Sequence, residues 1–214
     1  MVLPFEKLPE EKQLPIRQAV LAEFASHGRK RASTNRIVAE AGISKGTLFN
    51  YFGSKAELWN YAVSYTLKRM SQQVEEMVLS HSDVISRFEK AAEMKLQLYI
   101  QEPSFFEFAG NLLVVYANEL STQQKEEMYR LQAEMKERMF SGVDYSMLRQ
   151  DLPAERIIHM LHYAIEGYSD SVLKRLEGHR ITQEELDPLW DEFRQYLKDL
   201  RIVYYSGGAG EEAH

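Results

Sequence analysis

The sequence predicts an all-α protein of about nine helices, and three observations predict it. Apolar residues recur at three- and four-residue spacing along almost the whole chain. No segment shows the apolar–polar alternation of a half-buried strand. Ser, Thr, Pro and Gly fall between the periodic segments, where helix caps and stops belong.

The elements follow in chain order. Ile16, Ala19, Val20 and Phe24 share one helix face, with Pro15 suited to the first turn and Gly28 to the end. Ser33 is placed to cap a short helix carrying Ile37, Val38 and Ala41, which Gly42 ends. Ser44 caps the next helix, whose inner face is Leu48 and Phe52, and Gly53-Ser54 breaks the chain. Lys55 opens a long helix through Leu58, Tyr61, Ala62 and Tyr65 to about Val78. Further helices are expected from about Val84 to Ile100 and from near Pro103 to about Ala117, with Gly110 as a candidate kink. Ser121 and Gln124 have capping-box spacing and open a helix with Met128, Leu131, Met135 and Met139 on one face. Pro153 opens a helix to about Leu176, with Ile157, Leu161, Ala164, Ile165, Tyr168 and Val172 inward. Thr182 and Glu185 repeat the capping spacing before a last helix through Leu189, Phe193, Tyr196, Leu197, Leu200 and Val203, which Pro188 can kink. The tail at 206–214 has a disordered composition.

Composition narrows the function. The 214 residues include no cysteine, which excludes a disulfide framework, thiolate zinc sites and a cysteine nucleophile. The N-terminus lacks the basic and then apolar pattern of a signal segment. The longest apolar run, FFEFAGNLLVVYA, contains Glu107 and is shorter than the ~20 residues of a membrane span. A soluble, cytoplasmic protein with no membrane contact is expected. The net charge is −6, yet residues 1–70 hold 11 Lys/Arg against 6 Asp/Glu, and the remainder holds 15 against 26. A basic N-terminal third on an acidic body suggests an anion-binding module.

The basic third contains two short helices joined through Gly42-Ile43-Ser44. Gly42 permits the left-handed backbone that such a turn needs. With Leu48 and Phe52 inward, Lys45, Thr47 and Asn50 cannot all be buried, and Gly46 allows close approach. This is the helix-turn-helix arrangement, whose second helix enters the major groove. Asn50 suits adenine and Lys45 suits guanine. Tyr51 and Lys55 suit phosphates, which position without reading sequence. The same spacing also fits a helical hairpin with a solvated polar face.

The stretch FASHGRKRASTNRIVAEAGISKGTLFNYFGSKAELW (24–59) resembles the DNA-binding domain of the TetR (tetracycline repressor) family of transcriptional regulators. The resemblance rests on Phe24 with Gly28, Ser33-Thr34, Ile37, Ala41-Gly42-Ile43-Ser44, Gly46-Thr47-Leu48, Tyr51-Phe52, Lys55 and Leu58. It covers about a quarter of the chain. It implies a DNA-binding domain at 1–58 and a helical ligand-binding and dimerisation domain at 59–205. It implies a homodimer on a palindromic double-stranded operator, released by a small apolar effector. Thr34, Thr47, Tyr51 and Lys55 match DNA-contacting positions of the family, and Lys45 and Asn50 match variable ones. The expected DNA-binding set is therefore Ser33, Thr34, Lys45, Gly46, Thr47, Asn50, Tyr51 and Lys55. The chain departs from the family pattern at Phe49, where Tyr is common, at Val38, where Ala is usual, and at Arg29, where an aromatic commonly follows Gly28. Arg29-Lys30-Arg31 is thus either an added phosphate contact or a solvated loop.

In the acidic remainder the resemblance implies an effector pocket, for which Tyr99, Phe105, Phe106, Phe108, Tyr116, Met128 and Tyr163 are the candidates; they would suit an apolar, adaptable ligand. For any one of them ordinary core packing is the simpler explanation. The resemblance places a dimer interface on the last two long helices, with Ile157, Leu161, Ala164, Tyr168, Phe193, Leu197 and Leu200 as candidates. His159, His162 and Glu166 share a helix face and are permitted ligand types, but no fourth ligand is evident, so no metal and no cofactor are expected. No acid–base or nucleophile arrangement marks an enzyme. The alternative function is a helical adaptor whose hairpin binds protein.

Overall fold

The structure, a computed structural model, describes residues 5–76, 83–175 and 183–206. Nine α-helices lie among them: α1 (Glu10–Arg31), α2 (Thr34–Ala41), α3 (Lys45–Phe52), α4 (Lys55–Glu76), α5 (Val84–Gln101), α6 (Pro103–Val114), α7 (Thr122–Phe140), α8 (Ala154–Arg175) and α9 (Gln183–Tyr204). Among the described residues β pairing is limited to one isolated antiparallel bridge, Leu148 to Tyr205. The helix ends expected near Val78 and Leu176, the cap at Thr182 and the tail from 207 onward lie outside the described residues.

The helices form two compact units: Met1–Glu76 with Gln101–Met135, and Met77–Ile100 with Lys136–His214. This division does not follow a single cut after residue 58, because α6 packs on α1 and α4.

In the first unit, α1 begins at Glu10, ahead of Pro15. The carbonyl of Pro9 accepts from Lys12 N (2.9 Å) and Gln13 N (3.1 Å), so the first turn is closed without Pro15. The bond that Pro15 cannot make would go to the carbonyl of Glu11, an exposed residue that water can serve. At Gly28 the backbone leaves the helical region (φ 64°, ψ 177°) before a last basic turn. This break removes the usual i+4 donors of the preceding turn. The Ala25 carbonyl instead accepts from Asn111 Nδ2 (3.1 Å) and Tyr116 Oη (2.9 Å) of the α6 region. Phe24 meets Trp59 edge-on at 5.1 Å, and Trp59 meets Phe108 in the same way at 5.6 Å. All three rings are buried, and burying each stabilises the unit by about 1.5–3 kcal/mol. On the same unit, Arg17 lies 4.7 Å over the Tyr65 ring, and Arg69 pairs with Glu102, the residue preceding α6, at 3.0 Å.

α6 runs without interruption through Gly110, ending at Val114 rather than near Ala117. The capping box at Ser121 is formed: Gln124 N donates to Ser121 Oγ (3.3 Å), and Ser121 N donates to Gln124 Oε1 (3.0 Å).

In the second unit, α5, α8 and α9 share one core built on Ile85, Phe88, Ile157, Leu161, Ile165, Phe193, Leu197 and Leu200. Asp83, just ahead of α5, is joined by Arg201 of α9 and by Tyr205 just beyond it. Burial alone would raise the Asp83 carboxyl; hydrogen bonds from Arg201, Ser86 and Tyr205 outweigh it and hold the group at about 2.

This core revises the interface expectation. Ile157, Leu161, Phe193, Leu197 and Leu200 are buried within their own chain, so they are not available to a second copy. Ala164 and Tyr168 are half-buried against the same cluster. The inward stripes of α8 and α9 are satisfied by each other and by α5. The outward apolar residues are Tyr163, Ile202 and Val203.

The seven effector candidates are also dispersed. Phe105, Phe108 and Met128 are buried in the core of the first unit, where Phe106 and Tyr116 are half-buried. Tyr99 belongs to the second unit, and Tyr163 is exposed on α8. Large aromatic and methionine side chains were here chosen by core packing. None of the seven lines the cleft of the second unit, a cavity of ≈ 60 Å³ bounded by Lys95, Leu96, Tyr168, Val172, Trp190 and Phe193 among others.

Candidate nucleic-acid interface

The interface is built from the turn outward. Gly42 adopts φ 66°, ψ 29°, a left-handed conformation that costs glycine nothing. Its amide and that of Ile43 both donate to Val38 O, which closes α2 and turns the chain into α3. Ser44 caps α3 through Thr47 N → Ser44 Oγ, 3.0 Å. Ser54 caps α4 in the same manner, accepting from Glu57 N at 3.1 Å.

The inner side of the pair is dry: Ile37, Leu48 and Phe52 are all buried. On α3 the helical period then leaves Lys45, Gly46 and Asn50 exposed. A Cβ placed on Gly46 would meet only Ser44 Oγ, at 3.7 Å, so its own chain does not need a glycine there. Open space beside the backbone at the positive end of a helix suits close approach by phosphate.

The remaining expected contacts are positioned more closely by the chain itself. Thr47 is half-buried, and its hydroxyl lies 2.8 Å from Ser44 Oγ. Tyr51 is half-buried with its ring edge-on to Phe5 at 5.8 Å. Lys55 Nζ donates to the carbonyl of Lys30 at 2.9 Å. Thr34 opens α2, and Ser33 precedes it without a side-chain cap. The Ser33 amide donates to the buried carboxylate of Glu23 (2.7 Å) instead.

Glu23 and Phe5 escape the sequence reading. Glu23 also receives Arg36 through Nε (2.9 Å) and Nη2 (2.5 Å), which ties the start of α2 to α1. Burial pushes its carboxyl up, but the bonds from Arg36 and the Ser33 amide bring it below its ordinary value. The available signal was an acid directly before Phe24 on an apolar face. Phe5 is buried against Phe52 (4.8 Å) and Tyr61 (5.2 Å), and so supports the back of α3.

Residues 16–62, from within α1 to the first turns of α4, match the model of the bacterial regulatory proteins of the tetR family. This segment is similar to the N-terminal domain of the tetR family. The chain is also similar to the HTH-type transcriptional repressor SCO4008 of Streptomyces coelicolor, 43% identical over 51 residues. That match covers 24% of this chain and 27% of the relative, so the shared sequence is about a quarter of either protein. The fold is similar over nearly the full length to a TetR family transcriptional regulator of Chloroflexus aurantiacus J-10-FL (TM-score 0.65, 20% identity, 94% of this chain and 97% of that one). It is similar to the ketosteroid transcriptional regulator KstR2 of Mycobacterium tuberculosis in the same way (TM-score 0.64, 15% identity, 94% and 97%). At these identities the likeness is one of fold.

Elsewhere in the chain, His159 and His162 are exposed on α8, and Glu166 is 3.5 Å from Lys95 Nζ. Among the described residues no three His, Asp or Glu side chains are arranged to hold a metal ion. No helix among them is long and apolar enough to cross a membrane.

Proposed function

We propose that this protein is a ligand-responsive transcriptional repressor of the cytoplasm, binding a palindromic DNA operator as a homodimer and released by a small apolar molecule. One observation carries the reading: α3 is anchored by Leu48 and Phe52 and turns Lys45, Gly46 and Asn50 outward in a locally basic region. In this reading residues 1–58 hold the DNA, with Asn50 and Lys45 reading base edges in the major groove. Ser33, Thr34, Thr47, Tyr51 and Lys55 fix the register through phosphates. Residues 59–205 sense the effector and pair the two copies. The repressor sense is supported by the similarity of the DNA-binding segment to SCO4008.

For the effector we assign the cleft of the second unit, because Leu96, Val172, Trp190 and Phe193 make its lining apolar and aromatic. Ligand sites usually enclose about 300–1,000 Å³, so the cleft must widen when an effector enters. For the dimer we assign the outward faces of α8 and α9, where Tyr163, Ile202 and Val203 are exposed.

The test is capture of sheared genomic DNA by the purified protein, followed by sequencing. A small number of enriched inverted repeats is expected. Uniform recovery of genomic DNA across salt concentrations, or no recovery at low salt, contradicts the reading.

A further inference from the structure

We infer that Arg29, Lys30 and Arg31 form a second phosphate-binding edge, separate from α3, that anchors this protein to the DNA backbone whatever the base sequence. The inference rests on the DNA-binding reading above and adds to it a set of contacts.

Position is the first observation. The positive-φ break at Gly28 ends the regular part of α1 and starts a short basic turn. The Lys30 carbonyl accepts Lys55 Nζ at 2.9 Å, and the Arg31 carbonyl accepts Arg36 Nη2 at 3.3 Å. The turn is thereby fixed next to Lys55, the first residue of α4, and leads directly into α2. The partial positive charges of both helix starts add to its own.

Availability is the second. Three other arginines of this unit, one of them exposed, are each held by a carboxylate: Arg17 by Glu10, Arg36 by Glu23 and Arg69 by Glu102. Arg29, Lys30 and Arg31 are all exposed, and none is ion-paired among the described residues. Glu23, the buried acid behind the turn, is already occupied by Arg36 and the Ser33 amide. A solvated loop would need no fixed backbone, whereas this one is pinned from behind. The Tyr116 ring lies against Gly28, so close that a Cβ there would be 2.9 Å from its Cε1. Three free cations on a rigid turn lose little conformational entropy when they meet fixed phosphates.

Need is the third. The whole chain carries a net charge of −6 and is repelled by DNA at long range. Contacts at α3 alone would have to overcome this repulsion, and a concentrated basic edge reduces that burden.

The experiment uses the full-length protein and a mixed-sequence duplex of about 30 base pairs, long enough to seat a two-fold binder. Affinity is measured by fluorescence anisotropy from 30 to 300 mM KCl for the wild type, Arg29→Gln/Lys30→Gln/Arg31→Gln and Arg29→Lys/Arg31→Lys. Each lost phosphate contact should remove about 0.9 from the slope of log K against log salt, so the triple variant should be shallower by about 2–3 per subunit. Its affinity near 100 mM should fall by on the order of 100-fold. The charge-preserving variant should keep the wild-type slope. A triple variant that folds and binds with a slope within about 0.5 of wild type overturns the proposal while DNA binding itself stands. A wild type that fails to bind the duplex at 30 mM overturns both.

Discussion

Gly28 joins the DNA-binding helices to α6, and replacing it by alanine gives a magnitude that can be worked out. At φ 64° and ψ 177° only glycine is comfortable, and another residue is strained by about 1–3 kcal/mol. The new Cβ would also lie 2.9 Å from Tyr116 Cε1 and 3.3 Å from Cζ. That ring cannot simply withdraw, since its hydroxyl donates to Ala25 O at 2.9 Å and its edge faces Trp59 at 6.0 Å. Losing the hydrogen bond adds about 0.5–1.5 kcal/mol. Gly28→Ala should therefore cost about 2–4 kcal/mol, or roughly 5–15 °C in Tm for a chain of this size. Urea unfolding in a Trp190→Phe background, which leaves buried Trp59 as the fluorescent reporter, measures it. Adding Tyr116→Ala removes the clash but not the backbone strain, so the pair should couple by about 0.5–1.5 kcal/mol. A loss below about 0.5 kcal/mol, or no coupling with Tyr116, would refute the account of this junction.

Other expectations are more local. Asp83→Asn should destabilise the second unit by about 2 kcal/mol at neutral pH, because the carboxyl is held at about 2 against an ordinary 3.8. The group is depressed in the folded state, so its contribution is fully present well above 3.8 and disappears as pH falls towards 2; urea midpoints of the two proteins should converge along that range. Ser44→Ala removes the bond to Thr47 N and should cost about 1 kcal/mol of stability, read by thermal melting; an unchanged melt would mean that the cap contributes nothing. Lys55→Ala should weaken binding to all duplexes alike and flatten the salt slope by about 0.9 per subunit in anisotropy titrations.

The fold was legible wherever a local rule governs it. The periodicity of Ile16, Val20 and Phe24, the left-handed Gly42 and the reciprocal cap of Ser121 and Gln124 each involve residues within a turn or two of one another. What was not legible lies across the sequence. Glu23 finds Arg36 13 positions away, and the Ala25 carbonyl finds Tyr116 91 positions away. No propensity encodes such pairings. Ser33 stands at the N-cap of α2 as its residue type suggests, yet its side chain makes no cap bond, while its amide donates to a buried acid on α1. The α8 and α9 stripes failed differently, since an apolar face looks the same whether it meets its own core or a second chain. Of the outward set on α3, Lys45, Gly46 and Asn50 were legible from period alone, because Leu48 and Phe52 fix the inner side. The internal contacts of Thr47 and Tyr51 on α3, and of Lys55 on α4, were not, as they are made with Ser44, Phe5 and Lys30.

The most direct measurement is selection from a randomised duplex library by the wild type and by Asn50→Ala, with sequencing of the bound fraction. The account predicts that the wild type enriches an inverted repeat. It also predicts that the variant relaxes the preference at one symmetric pair of positions, by about 1–3 kcal/mol per contact, and leaves the rest of the motif intact. The same motif recovered undiminished from Asn50→Ala would contradict α3 as the reading helix.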